Sequence, residues 1–220
     1  MRLVLATRNA HKLRELAELM TPHELEPLPA DVKLPPETAT TFAGNALIKA
    51  RAAAVATGRP ALADDSGIQA SALGGAPGVF SARYAGEQAT DEENLAKLLR
   101  EVPPGGDTRV AYVCVLAVVD PGAGEVTAEG RCEGELTHDP RGDGGFGYDP
   151  AFVPADLDDG RTMAELDPAE KAAISHRGRA ARALLEPLAE LERAAGTPRL
   201  PGPFDLPRRW ERSPGRGRAR

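Results

Sequence analysis

The chain predicts an α/β fold built on a mixed sheet, and three observations carry that prediction. Short apolar segments alternate with stretches of helical periodicity through its first half. A long apolar run, Val110 to Val119, is then turned back into a more polar strand, Glu125 to Leu136. A helical region closes the patterned part of the chain. Strands separated by helices give parallel neighbours and a hairpin gives antiparallel ones, so the sheet is mixed and not purely parallel.

The elements follow in order. Arg2-Leu3-Val4-Leu5-Ala6 reads as a short buried strand running into the polar turn Thr7-Arg8-Asn9-Ala10-His11-Lys12. Leu13, Leu16, Ala17 and Met20 then recur at helical spacing. A second helix is expected from about Phe42 to Thr57, with Ala43, Ala46, Leu47, Ala50 and Ala54 on one face. Gly58 followed by Pro60 stops it. Pro60 to Ala63 reads as another short strand, ending at Asp64-Asp65-Ser66-Gly67. After the glycine loop Leu73 to Gly78, Thr90 with Glu93 fits a capping box for the helix carrying Leu95, Leu98 and Leu99. Val110 to Val119 has the pattern of a strand buried on both faces, and Asp120-Pro121-Gly122-Ala123-Gly124 is its turn. A second glycine loop spans Arg141 to Pro150. Asp167, Pro168 and Glu170 start one last helical region reaching about Ala195.

Composition bounds the function. At 220 residues, 41% hydrophobic and 27% charged, the chain suits one globular domain or two tightly joined lobes. Two cysteines, Cys114 and Cys132, make neither a disulfide framework nor a zinc spacing, and read as reduced core thiols. No signal peptide or spanning segment is expected, which points to a cytoplasmic protein with no membrane partner. From Thr197 onward seven Arg face Asp205 and Glu211, a local charge of +5 that leaves −11 for the rest of a chain of net −6. We therefore expect a domain over 1–196 and a flexible Pro/Gly/Arg-rich extension over 197–220. The acidic domain argues against nucleic-acid binding, whereas its carboxylates suit a nucleotide arriving with a divalent metal.

Four strings carry chemistry. Thr7, Asn9 and Lys12 stand where a strand meets a helix start, a place that favours anions. Lys12 is disfavoured there by the helix dipole by roughly 0.3–1 kcal/mol, so an anionic partner is expected. Asp64-Asp65-Ser66-Gly67 points two adjacent carboxylates in different directions, one toward a metal or water and one toward neighbours; a solvated turn fits the same string. Gly144-Gly145-Phe146-Gly147-Tyr148-Asp149-Pro150 offers bared backbone and a ring for a flat ligand, or a loop whose Phe plugs the core. Lys171 with Ser175-His176-Arg177 offers donors to a purine 6-oxo group and N7, or a solvated basic helix face.

In their order and spacing these strings resemble the inosine/xanthosine triphosphate pyrophosphatase family, the bacterial XTP/dITP diphosphatases, from Met1 to roughly Leu191. The match also includes Leu73 to Gly78 followed by Ser81-Ala82-Arg83-Tyr84, and Glu170-Lys171 before Ile174 to Gly178. The resemblance implies an elongated mixed sheet flanked by helices in two lobes, a central cleft holding the active site, and a homodimer. It implies that Thr7, Arg8, Asn9, Ala10, His11 and Lys12 hold the triphosphate and that Ser66 touches the substrate. Asp65 is implied as general base and Mg2+ ligand, with Glu37 as a further ligand. Phe146, Gly147, Tyr148, Asp149, Lys171, His176 and Arg177 are implied as the base and sugar pocket. The implied reaction is hydrolysis of ITP, dITP and XTP to the monophosphate and pyrophosphate.

Two departures stand out. Family members commonly have Gly where Arg8 stands, and Arg8 is expected to add harmless positive charge beside the phosphates. They commonly have Glu where Gly44 stands, so a carboxylate near Glu37 is missing and weaker metal binding is expected. The rival readings are a pyrophosphatase for modified pyrimidine triphosphates and a non-catalytic nucleotide sensor. Ser175-His176-Arg177 and the Phe146 to Asp149 loop speak against the first, and retained Asp65 and Glu37 against the second.

Overall fold

The structure is a computed structural model that describes residues 1–196. The extension expected over 197–220 lies outside the described residues. Six strands form one sheet in the order β2-β1-β3-β4-β5-β6. They are β1 (Arg2–Leu5), β2 (Glu24–Pro27), β3 (Ala61–Ala70), β4 (Arg109–Asp120), β5 (Gly124–Leu136) and β6 (Phe152–Pro154). The helices are α1 (Ala10–Leu19), α2 (Phe42–Thr57), α3 (Asp91–Glu101), α4 (Pro168–Ile174) and α5 (His176–Gly196). β1 runs parallel to β2 and β3, while β3, β4, β5 and β6 pair antiparallel in turn, so the sheet is mixed as the sequence predicts.

Alternation along the strands sorts the core into layers. Leu3, Leu5, Leu62, Cys114, Leu116 and Val118 point to the side covered by α1 and α5, against Leu16, Leu184 and Leu188. Val4, Ala61, Ala63, Val113, Val115 and Ala117 point to the other side, against Ala46, Ala50 and Ala53 of α2. A third cluster gathers Ile68, Tyr112, Tyr148 and Phe152 with Leu95 and Leu98 of α3. Close packing of α5 on β5 depends on Gly130, where a Cβ would lie 2.1 Å from the His176 carbonyl oxygen.

Local signals set the helix ends. Thr41 caps α2 by accepting from Gly44 N–H, and Gly58 closes it at φ 65°, a left-handed conformation that glycine adopts without strain. The Thr90/Glu93 and Asp167/Glu170 capping boxes are both formed. Among the described residues, no helix is long and apolar enough to cross a membrane.

Three expectations need correction. Asp64-Asp65-Ser66-Gly67 does not end a strand; β3 runs through it to Ala70, held by continuous pairing with β4. The last helical region is two helices, because Ser175 adopts an extended ψ of 153° and its Oγ accepts from Gly178 N–H, capping α5 anew. The short edge strands β2 and β6 stand where none was expected.

Candidate active site

The site is built around the part of β3 that lost its neighbour. β1 pairs with β3 only at Val4 and Leu5, opposite Ala61 and Leu62. Beyond that point the turn from Ala6 to Asn9 and the start of α1 stand beside the open edge of β3. Ser66 thus borders a cleft although it lies mid-strand, with Asp64 and Asp65 buried beside it.

Alternation sends the two carboxylates to opposite sides of the sheet. Asp64 shares the side of Leu62, where the Lys12 ammonium lies 2.7 Å from its Oδ2 and Arg177 Nε lies 3.9 Å away. Burial alone would raise its pKa, but the charges of Lys12, Arg177 and Lys49 outweigh that and hold it well below the usual carboxylate range. The anionic partner expected for Lys12 is therefore Asp64 of the protein itself. Asp65 points toward α2. Asn45 Nδ2 donates to its Oδ2 at 3.1 Å, and the Lys49 ammonium sits 3.4 Å from its Oδ1. Burial, reinforced by Glu37, raises the Asp65 pKa against the pull of Lys49. Lys49 also donates to Glu37, and the charges of Asp64, Asp65 and Glu37 keep its pKa up despite burial.

Two connected hollows meet here. One of about 610 Å³ is lined by Thr7, Asn9, Lys12, Glu37, Lys49 and Arg83. The other, about 160 Å³, is lined by His11, Ser66, Phe146, Tyr148, His176 and Arg177 among others. Asn9, Lys12 and Ala82 border both. A further hollow of about 430 Å³ between α1 and α4 shares His11, Phe146 and Lys171 with the smaller one.

The smaller hollow offers rings and charge. The Phe146 ring lies 5.4 Å from His11, 5.2 Å from the Lys171 ammonium and 5.6 Å from the Arg177 guanidinium. Asp149 organises the loop by accepting from Phe146 N–H at 2.9 Å, Lys171 Nζ at 2.9 Å and Tyr112 OH at 3.0 Å. The Tyr148 hydroxyl donates to the Ser81 carbonyl at 2.8 Å, and Gly147 N–H donates to Asp91. Arg177 donates to Ser66 Oγ at 3.2 Å and to Glu15, which also accepts from Lys171 at 3.0 Å. His176 stacks on Tyr112 at 4.6 Å; burial and the nearby Arg177 and Lys171 charges hold its pKa well below 6.5, so the ring is neutral. Among the described residues, the buried side-chain polar atoms without a partner are Asp64 Oδ1, His176 Nδ1 and Arg177 Nε. Native interiors leave few such atoms, and a cluster of them marks a place shaped for something other than stability.

Of the residues expected to hold phosphates, Thr7, Asn9 and Lys12 line the larger hollow. Asn9 is the cap of α1, its Oδ1 accepting from the N–H groups of His11 and Lys12, so that these amides are already engaged. Ala10 is the first residue of the helix. Arg8 also lines the larger hollow, and its guanidinium donates to the carbonyls of Leu28, Pro29, Ala30 and Val32, fastening that loop. Gly44 lies in the first turn of α2, where a Cβ would come within 2.5 Å of Ala39 Cβ, so the local packing has closed over that position. Sequence reasoning missed Asn45, Lys49, Glu15 and Tyr112. Asn45 and Lys49 had a visible signal, two polar residues at i, i+4 beside the alanine face of α2.

Comparison relates the chain to known proteins. Residues 3–187 match the Ham1 family. The dITP/XTP pyrophosphatase of Rhodospirillum centenum is 48% identical over 191 residues, covering 83% of this chain and 92% of that protein. That of Geobacillus kaustophilus is 46% identical, covering 86% and 95%. A HAM1 protein from Coxiella burnetii superposes with a TM-score of 0.76 at 46% identity, covering 86% of this chain and 99% of its own.

Proposed function

Because this chain belongs to the Ham1 family, we propose that it hydrolyses the deaminated purine triphosphates ITP, dITP and XTP to the nucleoside monophosphate and pyrophosphate. The observation that carries this reading is one cleft with two unlike ends: Lys49 and Glu37 at one, with Asp65 buried behind Lys49, and Phe146, Lys171 and Arg177 at the other, joined through Asn9 and Lys12. That is the layout a flat base and a triphosphate require.

The base and sugar lie in the smaller hollow, against Phe146 and within reach of the Lys171, His176 and Arg177 donors. The triphosphate runs past Ser66 and Lys12 into the larger hollow. Asp65, held by Asn45 and flanked by Lys49, accepts a proton from the attacking water. The water oxygen bonds to the α-phosphorus in line, and the bond from that phosphorus to the bridging oxygen breaks, so pyrophosphate leaves. Lys49 and Lys12 offset charge on the phosphoryl oxygens.

Glu37 and Asp65 suit a magnesium ion, because both carboxylates already converge on one ammonium, Lys49, beside an open hollow. Among the described residues no three carboxylate, imidazole or thiol groups gather for a metal, so a magnesium ion held by Glu37 and Asp65 would need phosphate oxygens and water as further ligands. Bound there, the metal supplies charge neutralisation across the triphosphate.

The homodimer and the division into a catalytic domain over 1–196 and an extension over 197–220 that is dispensable for chemistry belong to the same proposal. Pyrophosphate release from ITP, XTP, GTP and ATP, with and without magnesium, tests the reading on full-length protein and on protein ending at Gly196. ITP and XTP should be strongly preferred, and both lengths should agree within a few-fold. Equal rates on all four nucleotides would overturn the substrate assignment.

A further inference from the structure

We propose that Arg83 binds the pyrophosphate end of the substrate and retains it as product. The proposal rests on the triphosphate reading of the cleft.

The segment from Ser81 to Ala85 is fastened almost residue by residue. Ser81 Oγ accepts from Ile68 N–H at 2.9 Å, and its carbonyl accepts from Tyr148. The Ala82 carbonyl accepts from Asn94, the Tyr84 carbonyl from Lys97, and Ala85 N–H donates to Asn94 at 2.7 Å. Gly67 of β3 lies so close that a Cβ there would meet the Gly78 carbonyl oxygen and Ser81 Oγ at 2.4 Å. The backbone under Arg83 is thus bolted to the strand that carries Asp65 and Ser66.

The Arg83 guanidinium contrasts with this. It meets Glu37 at 3.7 Å and Glu87 at 3.6 Å, both beyond hydrogen-bonding length, and lies 5.3 Å from the Phe80 ring. A planar fork of five donors held at a fixed place, with only long charge contacts, matches two oxygens of a phosphate group. Its position selects which phosphates. Arg83 lines the larger hollow with Thr7, Glu37 and Lys49 but not the smaller one with Phe146 and Arg177. It therefore stands at the Glu37 and Lys49 end of the cleft, away from Phe146 and Arg177, where the triphosphate reading puts the β- and γ-phosphates. When it turns to them, Glu37 keeps Lys49 as its cation.

The test is calorimetric titration of magnesium pyrophosphate, and separately of IMP, into wild type, Arg83→Ala and Arg83→Lys, alongside steady-state kinetics on ITP. Arg83→Ala should weaken pyrophosphate binding about ten-fold or more, raise KM for ITP, and leave both IMP binding and the ITP-to-ATP ratio unchanged. Arg83→Lys should recover part of the loss. Unchanged pyrophosphate affinity in Arg83→Ala, or an equal loss for IMP, would overturn the assignment. A wild type that releases no pyrophosphate from ITP defeats the functional reading instead, and the titration still reports on Arg83.

Discussion

Lys12 Nζ, in the first turn of α1, lies 2.7 Å from Asp64 Oδ2 in the middle of β3. Asp64 is 1% exposed and has Arg177 as a second cation, so a single buried carboxylate ties together the starts of α1 and α5 on one side of the sheet. Its neighbour Asp65 points the other way and is held by α2. One dipeptide therefore divides two tasks, cohesion on one side of the sheet and chemistry on the other.

Removing the Asp64 charge should be a fold lesion first. Asp64→Asn leaves Lys12 without its anion and Arg177 with Glu15 alone, and breaking a buried pair from one side costs about 3–5 kcal/mol. Equilibrium urea unfolding of wild type and variant measures it. A difference below about 1 kcal/mol would show that water or Glu15 replaces the lost charge.

Asp65→Asn should behave in the opposite sense. The amide fills the same space and keeps an oxygen for Asn45, so the thermal midpoint should stay close to wild type or rise, since Asp65 is a carboxylate disfavoured by burial. Pyrophosphate release from ITP should fall about 10²–10⁴-fold through loss of the base, with loss of a metal ligand adding to it. Turnover near wild type at saturating magnesium would remove Asp65 from the mechanism.

How much of this was legible in the sequence differs from element to element. α2 was readable because the alanine face and the Gly58 and Pro60 stop are local signals, to which the structure adds the Thr41 cap. β4 was readable because an unbroken apolar run signals burial on both faces. β3 was cut short at Ala63 because a run of Asp, Asp, Ser and Gly looks like a turn. What makes it strand is remote: pairing with β4, and neutralisation by Lys12 and Lys49 from two different helices. The break at Ser175 was hidden by helical periodicity that continues on both sides of it. The site residues inside the quoted motifs were visible as strings, whereas Glu15 was not. Its role depends on Lys171 and Arg177, which only the packing of α4 and α5 beside α1 brings to it.

His176 makes stability depend on pH. The ring is buried and neutral, stacked on Tyr112 and facing Arg177, Lys171 and Lys12, with Asp64 the opposing charge. In the unfolded chain it takes up a proton below about pH 6.5. The unfolded state then binds more protons than the folded one, so stability falls as pH falls from there toward the depressed folded value, by up to about 1.4 kcal/mol per pH unit. His176→Gln cannot titrate and should show a shallower decline between about pH 6.5 and pH 5. Denaturant midpoints of both proteins across that window provide the comparison, and parallel curves would mean that His176 takes up its proton as readily in the fold as in the unfolded chain.

Base discrimination should reside in Arg177. Its guanidinium is 2% exposed, donates to Ser66 and Glu15, and lies 5.6 Å from the Phe146 ring, with Nε unpartnered. A purine 6-oxo group accepts from such donors, whereas the 6-amino group of adenine leaves them unpaired in a buried place. Stacking on Phe146 cannot supply this preference, because every base offers a π-face. Arg177→Lys keeps the positive charge that Asp64 and Glu15 require but replaces the planar fork with a point charge. The specificity constant for ITP should therefore fall by about ten-fold or more while that for ATP changes little. The measurement is the two constants in wild type and variant at one magnesium concentration. Equal proportional losses would mean that Arg177 serves the phosphates or the fold, and recognition of the 6-oxo group would pass to Lys171, His176 and the loop from Phe146 to Asp149.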